Sequence, residues 1–292
     1  IQRCGKLQLQ QGFCAGAGTD QLPRVRGLPD LADAAVEQCD FITSCGGIPV
    51  ILPMPWLSLN GASEDDYVFV YGAILRQVRG PVFVHWLGEM FLPALKGYFP
   101  GQSFSRVMAL APEVARGCKI SLLDPAREAA IRRELLPREQ IVLSGDDFHF
   151  ARTILGDGLP PARWTQIGEH RVALGDFSHA LLGIFDALAL PAGRALQALS
   201  RGDAAEYLRC MEPCEALGRH VFQQPTASYK AGLAFLAWLN EQQPEFRLLG
   251  GLERSRDRAH YLQCADLARK CGAVSDGPRF ERRLAAWAAS SQ

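Results

Sequence analysis

Six short apolar runs recur along the chain at intervals of roughly 25 to 35 residues, at 12–19, 48–54, 81–87, 117–123, 141–146 and 171–177. They read as continuous apolar stretches rather than strict alternation, the pattern of strands covered on both faces in a parallel sheet. Between them, 28–45, 64–78, 104–115 and 125–136 carry amphipathic spacing and close at Gly, Pro or a charged turn, which predicts helices. Two of these helices have marked starts. Ser63-Glu64-Asp65-Asp66 is a capping-box variant with acids in the first turn, and Asp124-Pro125 places a cap before a proline at the first helical position. From Ser178 the strand rhythm stops, and helices are expected at 180–200, 204–222, 228–241, 255–271 and 277–289. The stretch 156–170, with Pro160-Pro161, is expected as a long loop. The predicted organisation is a (β/α) barrel portion over 1–178 and C-terminal helices over 179–292.

Buried parallel strands fit either an open doubly wound sheet or a closed barrel. The polar residues favour the barrel, because they gather at the C-terminal ends of the runs: Thr19-Asp20, His85-Trp86, Ser121 to Asp124, Ser144 to Asp147, and Asp176. A barrel brings those ends around one mouth. No run is followed by G-x-G-x-x-G; Gly16-Ala17-Gly18-Thr19-Asp20 lacks the third glycine of a dinucleotide fingerprint.

The 292 residues are 48% hydrophobic, and 31 basic residues balance 31 acidic ones without a long block of either sign. That balance offers no basic stripe for nucleic acid and suits a small neutral or weakly charged ligand. Apolar stretches are interrupted well before the roughly 20 residues of a membrane span, so no membrane is expected as a partner. The nine cysteines, Cys4 to Cys271, are odd in number and contain no C-x-x-C, which points to reduced thiols and a cytoplasmic setting.

Lysine is scarce, five against 26 arginines, yet Lys119 sits within the apolar run Gly117-Cys118-Lys119-Ile120-Ser121. Burying an ammonium is costly, and partial desolvation favours the neutral amine that can attack a carbonyl; a guanidinium could not replace it. By the period of two, Lys119 and Ser121 share one face and Cys118, Ile120 and Leu122 the other. Two readings stay open for Lys119: an imine-forming nucleophile, or an ion pair to Asp146 or Asp147. His85 ends the preceding run, where a proton carrier could serve a substrate held on the next strand, or could be a hydrogen-bonded core residue. Ser144-Gly145-Asp146-Asp147 and Gly175-Asp176 repeat a glycine-acid pattern at run ends. Asp20, Glu89, Asp124, Asp147, His149 and Asp176 could instead ligate a divalent metal with His85, although no H-x-H or H-E-x-x-H spacing accompanies them. Trp86, Phe91, Tyr98, Phe148 and Phe150 could cover an organic substrate or belong to the core. Tyr229 and Lys230 could lie over the mouth or simply begin a helix.

The order of Val82 to Trp86, Gly117-Cys118-Lys119 and Leu143-Ser144-Gly145-Asp146-Asp147 resembles the dihydrodipicolinate synthase and N-acetylneuraminate lyase superfamily of class I aldolase barrels. Within it, the phrases Gly16 to Leu22, His85 to Phe91, Ser121 to Asp124, Ser144 to Phe148 and Pro225-Thr226 with Tyr229-Lys230 resemble one largely uncharacterised dihydrodipicolinate-synthase-like family. The resemblance implies a TIM (β/α)8 barrel of the class I aldolase type with a C-terminal helical extension, the six runs being strands three to eight. It implies that the chain is N-terminally incomplete, lacking the first two strands and the threonine pair that holds the substrate carboxylate. It also implies a homo-oligomer and a Schiff-base aldolase or lyase of a small 2-oxo acid or sugar-derived carbonyl compound, needing no cofactor. Lys119 would be the nucleophile, His85 would replace the superfamily's tyrosine as acid/base, and Asp147 or Asp146 would orient or polarise. Asp20, Trp86, Glu89, Ser121, Ser144, Asp176, Tyr229 and Lys230 would bind substrate. A metal-dependent lyase, isomerase or hydrolase at the same mouth and a non-catalytic metabolite-binding protein are the alternatives.

Overall fold

The computed structural model describes residues 12–157 and 163–290, so Cys4 and Pro160-Pro161 lie outside the described residues. The chain divides into two compact units, 1–144 with 156–179 and 145–155 with 180–292.

The first unit is a βα succession: β1 (Cys14–Ala17), α1 (Leu28–Ser44), β2 (Ile48–Ile51), α2 (Pro55–Leu59), α3 (Glu64–Gln77), β3 (Val82–Leu87), α4 (Ser103–Leu110), β4 (Ala115–Ser121), α5 (Pro125–Leu135) and β5 (Ile141–Ser144). Strands β1 to β5 pair in parallel, each with the next. The caps expected from local sequence are formed: Ser63 and Asp66 make the reciprocal capping box of α3, and the Asp124 side chain accepts the Arg127 N–H at the start of α5. One sheet face packs on the helices, where Val84, Cys118, Ile120 and Val142 meet Tyr71, Val107, Met108, Ile131 and Leu135 in one core. The phenol of Tyr98 joins this core by accepting the Met54 N–H at 2.8 Å and sharing a 2.9 Å hydrogen bond with Tyr71 Oη. Gly117 is required by close strand approach, because a Cβ there would lie 2.2 Å from the Ile141 carbonyl oxygen.

The run at 171–177 departs from expectation. It forms β7 (His170–Leu174), which pairs antiparallel with β6 (Arg163–Ile167) as a separate hairpin, so 156–170 is not a plain loop and this run is not a sheet strand. The two strands are joined through Gly168-Glu169, where Gly168 at φ +58° permits the tight reversal. β6 escaped the apolar-run reading because it carries Arg, Thr and Gln and buries only Thr165 and Ile167. The sixth strand of the large sheet is instead β8 (His179–Ala180), and the strand order is β1-β2-β3-β4-β5-β8. The described residues thus form an α/β half-barrel of six strands rather than the closed eight-stranded barrel.

The second unit is helical: α6 (Phe150–Leu155), α7 (Ala189–Ser200), α8 (Ala204–Val221), α9 (Tyr229–Leu239), α10 (Arg258–Lys270) and α11 (Gly277–Ser290). Its core buries Phe150, Tyr207, Met211, Leu217, Phe222, Phe235 and Phe280. Among the described residues no helix is long and apolar enough to cross a membrane.

Candidate active site

Strand parity sets the site in the first unit. In the β3–β4 register His85 lies directly beside Lys119, and Leu87 beside Ser121, so His85, Lys119 and Ser121 share the sheet face opposite the helices. His85 Nε2 and Ser121 Oγ are hydrogen-bonded at 3.1 Å, which fixes the ring, while His85 Nδ1 is buried with no hydrogen-bond partner. His85 is only 6% exposed and Ser121 is buried, whereas Lys119 is half-buried. Burial, reinforced by the Lys119 charge, holds the His85 imidazole well below its ordinary pKa of 6.5. The ring is therefore neutral at pH 7, with a lone pair able to take a proton. A half-buried amine, an adjacent neutral imidazole and a hydroxyl hydrogen-bonded to that ring thus share one sheet face.

Ser144, Trp86 and Asp176 are not brought to this face. Ser144 and Trp86 both register with Ile120, one residue out of phase with Lys119, and so point toward the helices. Trp86 packs there on Phe99 and Phe104, under the Arg127 guanidinium. Ser144 Oγ donates to Glu128 Oε2 at 3.1 Å, and Ser178 Oγ donates to Glu128 Oε1 at 2.7 Å. Arg132 Nε meets Asp176 Oδ1 at 2.6 Å, and Arg133 Nε meets Oδ2 at 3.2 Å. Burial pushes the Asp176 carboxyl up, but the hydrogen bonds and charges of Arg132 and Arg133 outweigh it and hold the carboxyl below its usual value. Buried Glu128 and Arg132, on α5, are polar residues the sequence reading missed. Their spacing of four on one helix was the available signal.

Asp146, Asp147, Tyr229 and Lys230 belong to the second unit. The Asp146 carboxylate accepts the N–H groups of Phe148 at 2.8 Å and His149 at 3.1 Å and meets His149 Nδ1 at 3.0 Å, bracing the turn into α6. Asp147, 3% exposed, accepts the Ile184 N–H at 2.7 Å. The Tyr229 ring stacks on Phe222 with centroids 4.5 Å apart. Burial and then the charges of Asp147 and Asp186 raise its phenol pKa. Asp147 and Tyr229 are thus brought near one another, whereas Lys230 is exposed at the start of α9. In the first unit Asp20 and Glu89 are exposed, and Asp124 is engaged as the α5 cap.

The family described as "Protein of unknown function (DUF993)" matches residues 2–290. No curated protein matches the sequence. Among solved structures, the fold is shared with YagE, a prophage protein of the dihydrodipicolinic acid synthase family from E. coli K12, solved in complex with pyruvate. The TM-score is 0.66 at 15% identity, covering 92% of this chain and 78% of that one. It is also shared with a variant of the Sulfolobus solfataricus 2-keto-3-deoxygluconate aldolase, at a TM-score of 0.52 and 13% identity, covering 90% of this chain and 73% of that one.

Proposed function

This chain belongs to the DUF993 family and has the fold of dihydrodipicolinate-synthase-type structures; from that premise we propose that it is a class I aldolase or lyase of a small 2-oxo acid or related carbonyl compound. The observation that carries the reading is the register of β3 on β4, which lays His85 beside Lys119 with Ser121 hydrogen-bonded to the imidazole. The Lys119 amine attacks the substrate carbonyl carbon, and loss of water, with one proton taken up from solvent, leaves a protonated imine. That cation accepts the electron pair released when the neighbouring C–H or C–C bond breaks, giving an enamine. His85, neutral by burial, takes the proton released at this centre and returns it when the enamine is protonated. A 2-oxo acid is favoured as substrate because YagE, of the same fold, is seen with pyruvate.

The test is borohydride trapping. The folded protein is incubated with pyruvate, other 2-oxo acids or keto sugars, then reduced, and its intact mass is measured. A covalent adduct is expected with at least one of these and should be absent in Lys119→Ala. No adduct with any of them, or one that persists in K119A, refutes the proposal.

A further inference from the structure

The second unit holds a group of soft and borderline metal donors that the proposed chemistry does not use. His220 lies in the last turn of α8, while His260 and Cys264 are four residues apart on α10 and so share one helix face. Their ligand atoms all lie within 4.8 Å of one another, the one such trio of His, Cys, Asp or Glu among the described residues. His260 is 5% exposed and its Nε2 is buried with no hydrogen-bond partner, while Cys264 is fully buried. A buried orphan nitrogen is costly unless something fills its valence.

The hydrogen bonds of the two rings set which nitrogens are left for an ion. His220 Nε2 donates to the His260 carbonyl oxygen at 3.0 Å, which leaves the Nδ1 lone pair for an ion. Gln223 Nε2 donates to His260 Nδ1 at 3.0 Å, so the metal-free ring carries its proton on the orphaned Nε2; a half-turn of the amide, presenting its oxygen to Nδ1, would move the proton there and leave the Nε2 lone pair for an ion.

We propose that His220, His260 and Cys264 form a binding site for a zinc-class divalent ion that clips the end of α8 to α10. Two imidazoles and one thiolate make a three-ligand set with the fourth tetrahedral position open, and His220, half-buried, supplies the way in from solvent. Metal–ligand distances of about 2.0 to 2.3 Å require donors roughly 3.3 to 3.6 Å apart, so the three side chains close by at most about 1.5 Å on loading. The imidazole rings, now stacked with centroids 4.3 Å apart and 22° between planes, splay so that their lone pairs converge. The Cys264 thiol gives its proton to solvent as its sulfur takes the ion.

The test uses the full chain, stripped with a chelator and titrated with Co2+ as a spectroscopic probe and Zn2+ as competitor. A sulfur-to-cobalt charge-transfer band at one equivalent, displaced by Zn2+, is expected in the parent. Cys264→Ser should lose the band, and His220→Gln should weaken Co2+ binding at least about 10-fold. Circular dichroism of each metal-stripped variant reports folding, and H220Q, altering a half-buried side chain, remains decisive if C264S fails to fold. Absence of the band in the folded parent, its survival in folded C264S, or unchanged affinity in H220Q overturns the site.

Discussion

Replacing His85 by glutamine keeps a polar partner for Ser121 but removes a group that is neutral in the folded protein and takes a proton once unfolded. Because burial and the Lys119 charge depress its folded pKa, the unfolded chain binds more protons as pH falls through the ordinary value of 6.5. Stability from the neutral ring is present above that pH and lost below it, at about 1.36 kcal/mol per pH unit once protonation of the unfolded chain is complete. Between about pH 7.5 and 5.5 the unfolded pKa caps this loss at about 1.4 kcal/mol. His179 and His260 contribute in the same direction, but they are present in both proteins and cancel. The assay is urea unfolding followed by circular dichroism at both pH values, with equal m-values required for comparison. H85Q should lose up to about 1.4 kcal/mol less than the parent on acidification. Equal losses within about 0.4 kcal/mol would refute the claim that His85 is buried neutral beside Lys119, and with it the assignment of His85 as a base. Lys119→Met should act in the milder sense, lifting the His85 pKa and making the acid loss level off at higher pH.

Gly117→Ala should destabilise by about 1 to 3 kcal/mol in thermal unfolding, since its Cβ would enter the Ile141 carbonyl oxygen across the β4–β5 pair. Tyr98→Phe should cost about 1 to 3 kcal/mol, measured by urea unfolding, because it strands the buried Met54 N–H and the Tyr71 hydroxyl together. Asp147→Ala should cost a similar amount, about 1 to 3 kcal/mol, by leaving the Ile184 N–H without its carboxylate, and hydrogen exchange at Ile184 should accelerate in that variant.

Local and tertiary information separate at identifiable residues. The starts of α3 and α5 were readable because a cap is a contact between residues three apart, as in Ser63 with Asp66 and Asp124 with Arg127. The pairing of Lys119 with Ser121 on one face followed from the period of two within a single strand. That parity did not extend across strands. Ser144 and Trp86 looked equivalent to Ser121 and His85 at run ends, but a register known only from the folded sheet sets them against Ile120, on the helix side. Asp176 was misplaced for a related reason: its partners Arg132 and Arg133 lie more than 40 residues earlier. The run at 171–177 was recognisable as extended, but apolar content does not say whether a strand joins a parallel sheet or doubles back on the polar strand Arg163–Ile167.

The sequence by itself determined the βα succession through β5, the helical second half, the two capped helix starts and the isolation of Lys119 in an apolar strand, all properties of neighbours along the chain. Only the tertiary structure decided that His85 stands beside Lys119, that Ser144 and Asp176 serve the helix layer, that His179–Ala180 is the sixth sheet strand, and that His220 meets His260 and Cys264. Each of those depends on strand register, where a shift of one residue reverses which side a group faces, or on helix docking, where it turns the group by about 100°.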